Sequence, residues 1–383
     1  MGGRGLAGRG SLDPGHAAVA PVLLLAGCAE RRSQLAELAR EALSRADFPR
    51  LTAELYARGL LPLIGSRALE LAPDICPPSF DAAVKSARAA ARARGLALEA
   101  EITRLVARLG EAGISALPLK GPLLAADVHG DVGLRETRDV DLLVPRARLY
   151  HAGRLLRADG YGPPLDPLRR NGLPDLHLRL SHDSRPRVEL HWRVHWYEDR
   201  FSEEMLAGAR PSSDGLLRAQ PSDLAASLLL FYARDGFHGL RLAIDLATWW
   251  DRHGDVLSGG FLEGHARRHP DLVPALTAAV VTTQRLTGAP ALDWLGSAAI
   301  RDRRITLAAR LCDWAQVDDR DQRAANVSLV DALLAPPGSL PEFARRELIP
   351  RSGAALPHMA KMLGRYAVAL WRSRQPTALR GQI

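Results

Sequence analysis

The sequence predicts an α+β protein, a small mixed sheet set between two helical regions. Three observations carry this. Apolar residues recur at helical spacing through residues 17–112, the pattern breaks into short strand-like runs between 113 and 200, and helical spacing returns from Ser222 onward. A chain of 383 residues holds two or three domains, or one core domain with large flanking elements. The expected divisions are a tail at 1–16, an N-terminal helical region at 17–112, an α/β core at 113–200, a C-terminal helical region at 201–374 and a tail at 375–383.

Residues 17–112 are rich in Ala, Leu and Arg, with breaks at Asp47-Phe48-Pro49, Pro62 and Pro77-Pro78, since proline interrupts a helix interior. Residues 86–112 read as one long amphipathic helix closed by Gly113. The period then changes. Residues 114–119 read as a strand, 122–128 as a short helix, 130–133 as a loop and 138–144 as a second strand. A helix at 147–158 ends at Gly160, and a loop holding Pro163, Pro164 and Pro167 leads to strands at 176–181 and 187–192. Between those two, His182-Asp183-Ser184-Arg185-Pro186 has the composition of a hairpin turn. Ser222 and Asp223 offer an N-cap to a helix at 224–232, and a further helix is expected at 240–250. There is no repeat of fixed period.

The composition, 47% hydrophobic and 25% charged, is that of an ordinary globular chain. A net charge of +8 permits polyanion binding, but aromatics are only 5% and no basic block is interleaved with them. Arg88, Arg92, Arg94, Arg104 and Arg108 spread along one predicted helix, as a solvated surface does, so nucleic acid is a permitted partner and not the favoured one. Cys28, Cys76 and Cys312 are isolated, which argues against a disulfide framework and a thiolate zinc site and fits a reducing cytoplasm. Two N-terminal patterns lack their context. Gly3-Arg4-Gly5-Leu6-Ala7-Gly8 matches a dinucleotide fingerprint with no strand before it. Leu25-Ala26-Gly27-Cys28 resembles a lipoprotein cleavage site, yet His16 and Pro21 interrupt the apolar stretch, and Leu35, Leu38, Ala39 and Leu43 continue it at helical spacing. No apolar run is long enough to span a membrane.

The chemistry concentrates in Leu119-Lys120-Gly121 and in Arg135 through Val144, which contains Asp139-Val140-Asp141. Aspartates at i and i+2 of a strand share a face, and like-charged carboxylates side by side need a cation to hold them. The bland alternative makes one a surface charge and the other a strand-edge cap, but Leu142-Leu143-Val144 marks a buried strand where unpaired carboxylates are costly. Glu189 alternates with His191 on the strand Arg187-Val188-Glu189-Leu190-His191-Trp192. Beside the Asp strand it completes an oxygen-rich cage suited to magnesium; alone it reads as a solvent-facing charge. Lys120 is one of three lysines, with Lys85 and Lys361, in a chain that otherwise uses arginine. With Gly121 it lies between a strand and a helix, a place for an anion, and Arg135 and Arg138 are candidates to grip phosphate oxygens. His177, His182, His191 and His195 invite a transition-metal reading, but their strand setting lacks the i, i+4 spacing of helical zinc motifs. Hydrogen-bonding or substrate-side roles are the reading for His177 and His191. Asp245 either faces the cleft or is a surface charge near Arg252.

At these residues the chain resembles the nucleotidyltransferase superfamily of DNA polymerase beta and the aminoglycoside nucleotidyltransferases. More closely it resembles a bacterial family of uncharacterised nucleotidyltransferases, some found with lasso-peptide biosynthesis. That family's pattern, Leu-Lys-Gly, then Arg-x-x-x-Asp-x-Asp-Leu-Leu-Val, then Glu-Leu-His-Trp, stands here at 119–121, 135–144 and 189–192, and the likeness covers roughly residues 20–260. Two positions depart. The wider superfamily has Gly-Ser where this chain has Lys120-Gly121, and histidines expected near 231 and 235 are Phe231 and Asp235.

The resemblance implies a nucleotidyltransferase core moving a nucleoside monophosphate from an NTP to an acceptor, a peptide, small molecule or protein, with release of pyrophosphate. It implies two Mg²⁺ ions on Asp139 and Asp141, Glu189 completing the second site or taking the acceptor's proton, and Lys120, Gly121 and Arg135 against the β- and γ-phosphates. Two rivals stay open: a non-catalytic nucleotide- or RNA-binding module of the same fold, and a metal-dependent phosphohydrolase using the same carboxylates.

Overall fold

The computed structural model describes residues 19–164, 174, 176–198, 200–254, 260–289, 302–311, 320–339, 341, 343–344, 360 and 363–367. The expected tails, the motif at 3–8, Pro167 and Cys312 lie outside them.

Short helices open the described chain: α1 (Val19–Ala26), α2 (Ala29–Gln34), α3 (Ala36–Ser44), α4 (Phe48–Ala57) and α5 (Leu61–Leu71). The proline breaks fall between them. Pro49 and Pro62 sit in first turns, where a missing N–H costs nothing, and the Asp47 side chain caps α4 by accepting from the Arg50 amide. Helix α6 (Pro78–Glu111) is longer than the predicted 86–112 because Pro78 can itself begin a helix. It ends before Gly113, whose φ of +65° turns the chain toward the sheet.

The core holds β1 (Leu117–Pro118), α7 (Pro122–His129), β2 (Asp139–Leu143), α8 (Leu149–Ala158), β3 (His177–Leu180) and β4 (Arg187–His191). Strand β1 is two residues long instead of six, since Pro118 cannot donate to a ladder. The sheet order is β1-β2-β4-β3, mixed as expected: β1 runs antiparallel to β2, β2 parallel to β4, and β3 forms the antiparallel hairpin with β4. Alternation divides the sheet into two chemistries. Val140, Leu142, Leu178, Leu180, Val188 and Leu190 point to one face and pack with Leu98, Ile102, Leu105, Leu149 and Leu156. Asp139, Asp141, Glu189, His191 and His177 point to the other, because Asp141 is in register with Glu189 and His191 with His177.

The C-terminal part contains α9 (Phe201–Gly208), a hairpin of β5 (Arg210–Pro211) and β6 (Leu217–Arg218), then α10 (Pro221–Arg234), α11 (Leu240–His253), α12 (Phe261–Arg268), α13 (Val273–Thr287), α14 (Arg303–Arg310) and α15 (Arg320–Leu334). The small hairpin was not expected; Asp214-Gly215, with Gly215 at φ +79°, is its turn signal. Ser222 and Asp223 do not cap α10. Pro221 starts that helix one turn early, with Gln220 at the cap position, leaving Asp223 in the first turn.

N- and C-terminal helices share one apolar core, in which Leu25, Leu43 and Ile64 belong to the same cluster as Leu228, Phe237 and Leu276. Polar ties reinforce it. The Cys28 amide donates to the Thr287 carbonyl (2.8 Å), and Arg67 donates to the Leu25 carbonyl (2.8 Å) and the Thr248 hydroxyl (3.2 Å).

Candidate active site

Strand β2 projects Asp139 and Asp141 from the polar face of the sheet, and β4 sets Glu189 beside Asp141 and Arg187 beside Asp139. Arg187 donates to Asp139 at 2.8 Å. His191, fully buried, donates from Nε2 to Asp141 Oδ1 at 3.0 Å, and the same nitrogen lies 3.4 Å from Glu189 Oε2. Lys120 Nζ stands 3.4 Å from Asp141 Oδ1 and 4.5 Å over the ring of Phe231, in the position where the resemblance leads one to expect histidine. Phe231 also meets the edge of His191, at 5.9 Å between centroids.

The electrostatics follow from these contacts. Burial alone would raise the Asp141 carboxyl, but the Lys120 ammonium and His191 outweigh it and hold it well below the usual carboxylate range. Burial likewise opposes ionisation of Glu189, and the His191 imidazole beside it reverses that and lowers it. His191 is raised, since two carboxylates overcome its own desolvation. Burial and the neighbouring His191 push His177 down to about 3.

In front of Asp139 and Asp141 opens a cavity of about 430 Å³ with walls from all three parts of the chain. The N-terminal helices give Ala57 and Arg58, the core gives Lys120, Gly121, Arg135, Thr137, Arg138 and Arg187, and the segment from Asp235 to Leu242 gives His238 and Arg241. Among the described residues, six cationic side chains line it against three carboxylates, so its field favours a polyanion accompanied by a cation. Gly121 holds φ +85° and ψ −141°, a conformation kept for glycine, and so turns the chain from Lys120 into α7.

The sequence-derived candidates separate into three groups. Asp139, Asp141, Lys120, Gly121, Arg135 and Arg138 line the cavity. Glu189, His177 and His191 lie one or two strands farther along the same face, beyond the lining. Asp245 is neither a surface charge nor a cleft residue: it is buried, and its two oxygens accept from His129 Nε2 (2.9 Å) and Arg135 Nε (2.8 Å). Arg135 reaches the cavity wall already tied to that carboxylate, while Arg138 pairs with Glu136 at 3.2 Å at an exposed rim. Arg58, Arg187 and Arg241 were not singled out in the sequence. Arg187 had a signal, two residues before Glu189 on the same strand face; Arg58 and Arg241 come from helices remote in sequence.

A family model described as uncharacterised nucleotidyltransferase matches residues 44–286. No curated protein matches the chain.

Proposed function

Because the chain belongs to the family of uncharacterised nucleotidyltransferases, we propose that it moves a nucleoside monophosphate from an NTP to a hydroxyl-bearing peptide, small molecule or protein, releasing pyrophosphate. One observation carries this reading: a cationic cavity drawn from three parts of the chain converges on two aspartates of one strand. A triphosphate needs both features, cations for its terminal phosphates and carboxylates for a bridging metal.

The donor set fits magnesium, since Asp139, Asp141 and Glu189 are all carboxylates on one face of adjacent strands, the oxygen ligands that ion prefers. Two Mg²⁺ ions held there would neutralise charge on the attacking and leaving oxygens. The protein's own part is positioning and charge. Lys120 and His191 keep Asp141 ionised and fixed. Arg187 orients Asp139, and Asp245 holds Arg135 against the cavity. Lys120, Arg58 and Arg241, which line the cavity, would face the β- and γ-phosphates, with the first turn of α7 after Gly121 beside them. The acceptor oxygen forms its bond to the α-phosphorus as the α–β bridging oxygen departs with pyrophosphate, and the acceptor's proton passes to solvent. A nucleoside triphosphate donor agrees with a cytoplasmic location, and no helix among the described residues is long and apolar enough to cross a membrane.

The test is the double variant Asp139→Asn/Asp141→Asn. Mg²⁺-dependent NTP binding and pyrophosphate release should both vanish, with mass spectrometry of candidate acceptors incubated with ATP locating the added nucleoside monophosphate. Unchanged turnover in the double variant refutes the assignment, and release of free phosphate without a modified acceptor favours a phosphohydrolase.

A further inference from the structure

The geometry points to a second cation site on the same face of the sheet, made by His177, Glu189 and His191 and selective for an imidazole-preferring divalent ion such as zinc rather than magnesium. These three residues each offer one ligand atom, all within 4.8 Å of one another. Their placement is fixed by the hairpin, because His177 is the register partner of His191 and Glu189 lies two residues before it. The imidazoles meet edge to face with centroids 4.7 Å apart.

The spacings distinguish an ion site from a hydrogen-bonded cluster. Glu189 Oε2 is 3.4 Å from His191 Nε2 and 3.9 Å from His177 Nδ1. Good hydrogen bonds from ring nitrogens fall at about 2.7–3.2 Å. Two donors bound about 2.1 Å from one ion at a tetrahedral angle stand about 3.4 Å apart. His191 Nε2 makes its short contact, 3.0 Å, to Asp141 instead. An ion at this site replaces the proton that His191 Nε2 holds toward Asp141, and three protein ligands leave a position open. Two imidazoles and one carboxylate suit zinc, cobalt or iron, whereas magnesium prefers oxygen ligands throughout. His191 is fully buried, whereas 17% of the His177 side chain and 12% of the Glu189 side chain are exposed, so the ion enters from their side. The site shares Glu189 with the magnesium set proposed above and draws His191 away from Asp141, so it describes the chain without nucleotide and magnesium, and its cation is first measured without either.

The probe is Co²⁺ added to the full-length chain after chelator treatment, read by visible absorption. The expected result is one equivalent per chain with the band of a four- or five-coordinate site, retained in Asp139→Asn and under about a thousandfold excess of Mg²⁺. His177→Ala and Glu189→Gln should each weaken binding at least about tenfold; the second, isosteric change decides the matter if the first unfolds the protein. The inference is overturned by absence of the band in the wild type, by its loss in Asp139→Asn with retention in Glu189→Gln, or by its displacement by Mg²⁺.

Discussion

Replacing Asp245 with asparagine tests how the cavity wall is held. The Asp245 carboxylate is 1% exposed and accepts from Arg135 Nε at 2.8 Å and from His129 Nε2 at 2.9 Å. Asn keeps the shape and one acceptor but removes the charge, leaving the Arg135 guanidinium, itself 6% exposed, buried beside a neutral amide. Uncompensating a buried ion costs about 3–5 kcal/mol, whereas losing a single neutral hydrogen bond costs only about 1. At roughly 2 °C per kcal/mol for a chain of this size, the melting temperature should fall by about 6–10 °C at pH 7. Calorimetry and urea titration followed by far-UV circular dichroism read this directly. The double variant Arg135→Met/Asp245→Leu removes both charges and should recover more than half of the loss, since apolar replacements of buried pairs are commonly near neutral. A loss below about 1 kcal/mol in Asp245→Asn, or a double variant no more stable than the single one, refutes the reasoning.

Gly121→Ala should destabilise the protein by about 1–3 kcal/mol, purely through the backbone, because φ +85° is strained for any Cβ while the nearest atom, the Asp139 carbonyl oxygen, would stand 4.0 Å away; a thermal shift under about 1 °C counts against it. Acid sensitivity should come from His265, whose burial, aided by the nearby Arg268, pushes it down to about 4. A lowered imidazole binds its proton more weakly in the folded chain than in the unfolded one, so stability present above pH 6.5 is lost as pH falls toward 4, by on the order of 2 kcal/mol. Around it stand Asp223 at 3.4 Å, Arg268 at 3.1 Å, the rings of Phe201 and Phe261, and His269. Denaturant midpoints at pH 7 and pH 4.5 should therefore lie closer together in His265→Gln than in the wild type; equal separation contradicts the assignment.

The sheet was legible because its signals are local. Alternation along 139–143 and 187–191 fixed which side chains share a face, and the turn residues at 182–186 fixed the hairpin. What alternation could not disclose was the pairing of β2 with β4, a parallel contact between residues 48 apart that puts His191 between Asp141 and Glu189. The role of Asp245 was hidden for a similar reason, since its partners Arg135 and His129 lie more than a hundred residues earlier. Arg58 and Arg241 carried no contrast among so many arginines, whereas Lys120 stood out as one of three lysines. Phe231 broke the expected pattern at the sequence level, and its position under Lys120 supplies the physical reason for an aromatic there.

The bond from the Cys28 thiol to the Gly288 carbonyl spans 260 residues, and it gives the chain a particular order of assembly. Ribosomal synthesis delivers α1 through α5 long before α13 exists, at about 5–20 residues per second. For some tens of seconds the apolar sides of Val22, Leu25 and Ile64 lack the helices that finally cover them. Closing a loop that long comes late and slowly, so the first helices are the part of the nascent protein most exposed to aggregation and most dependent on a chaperone's shelter.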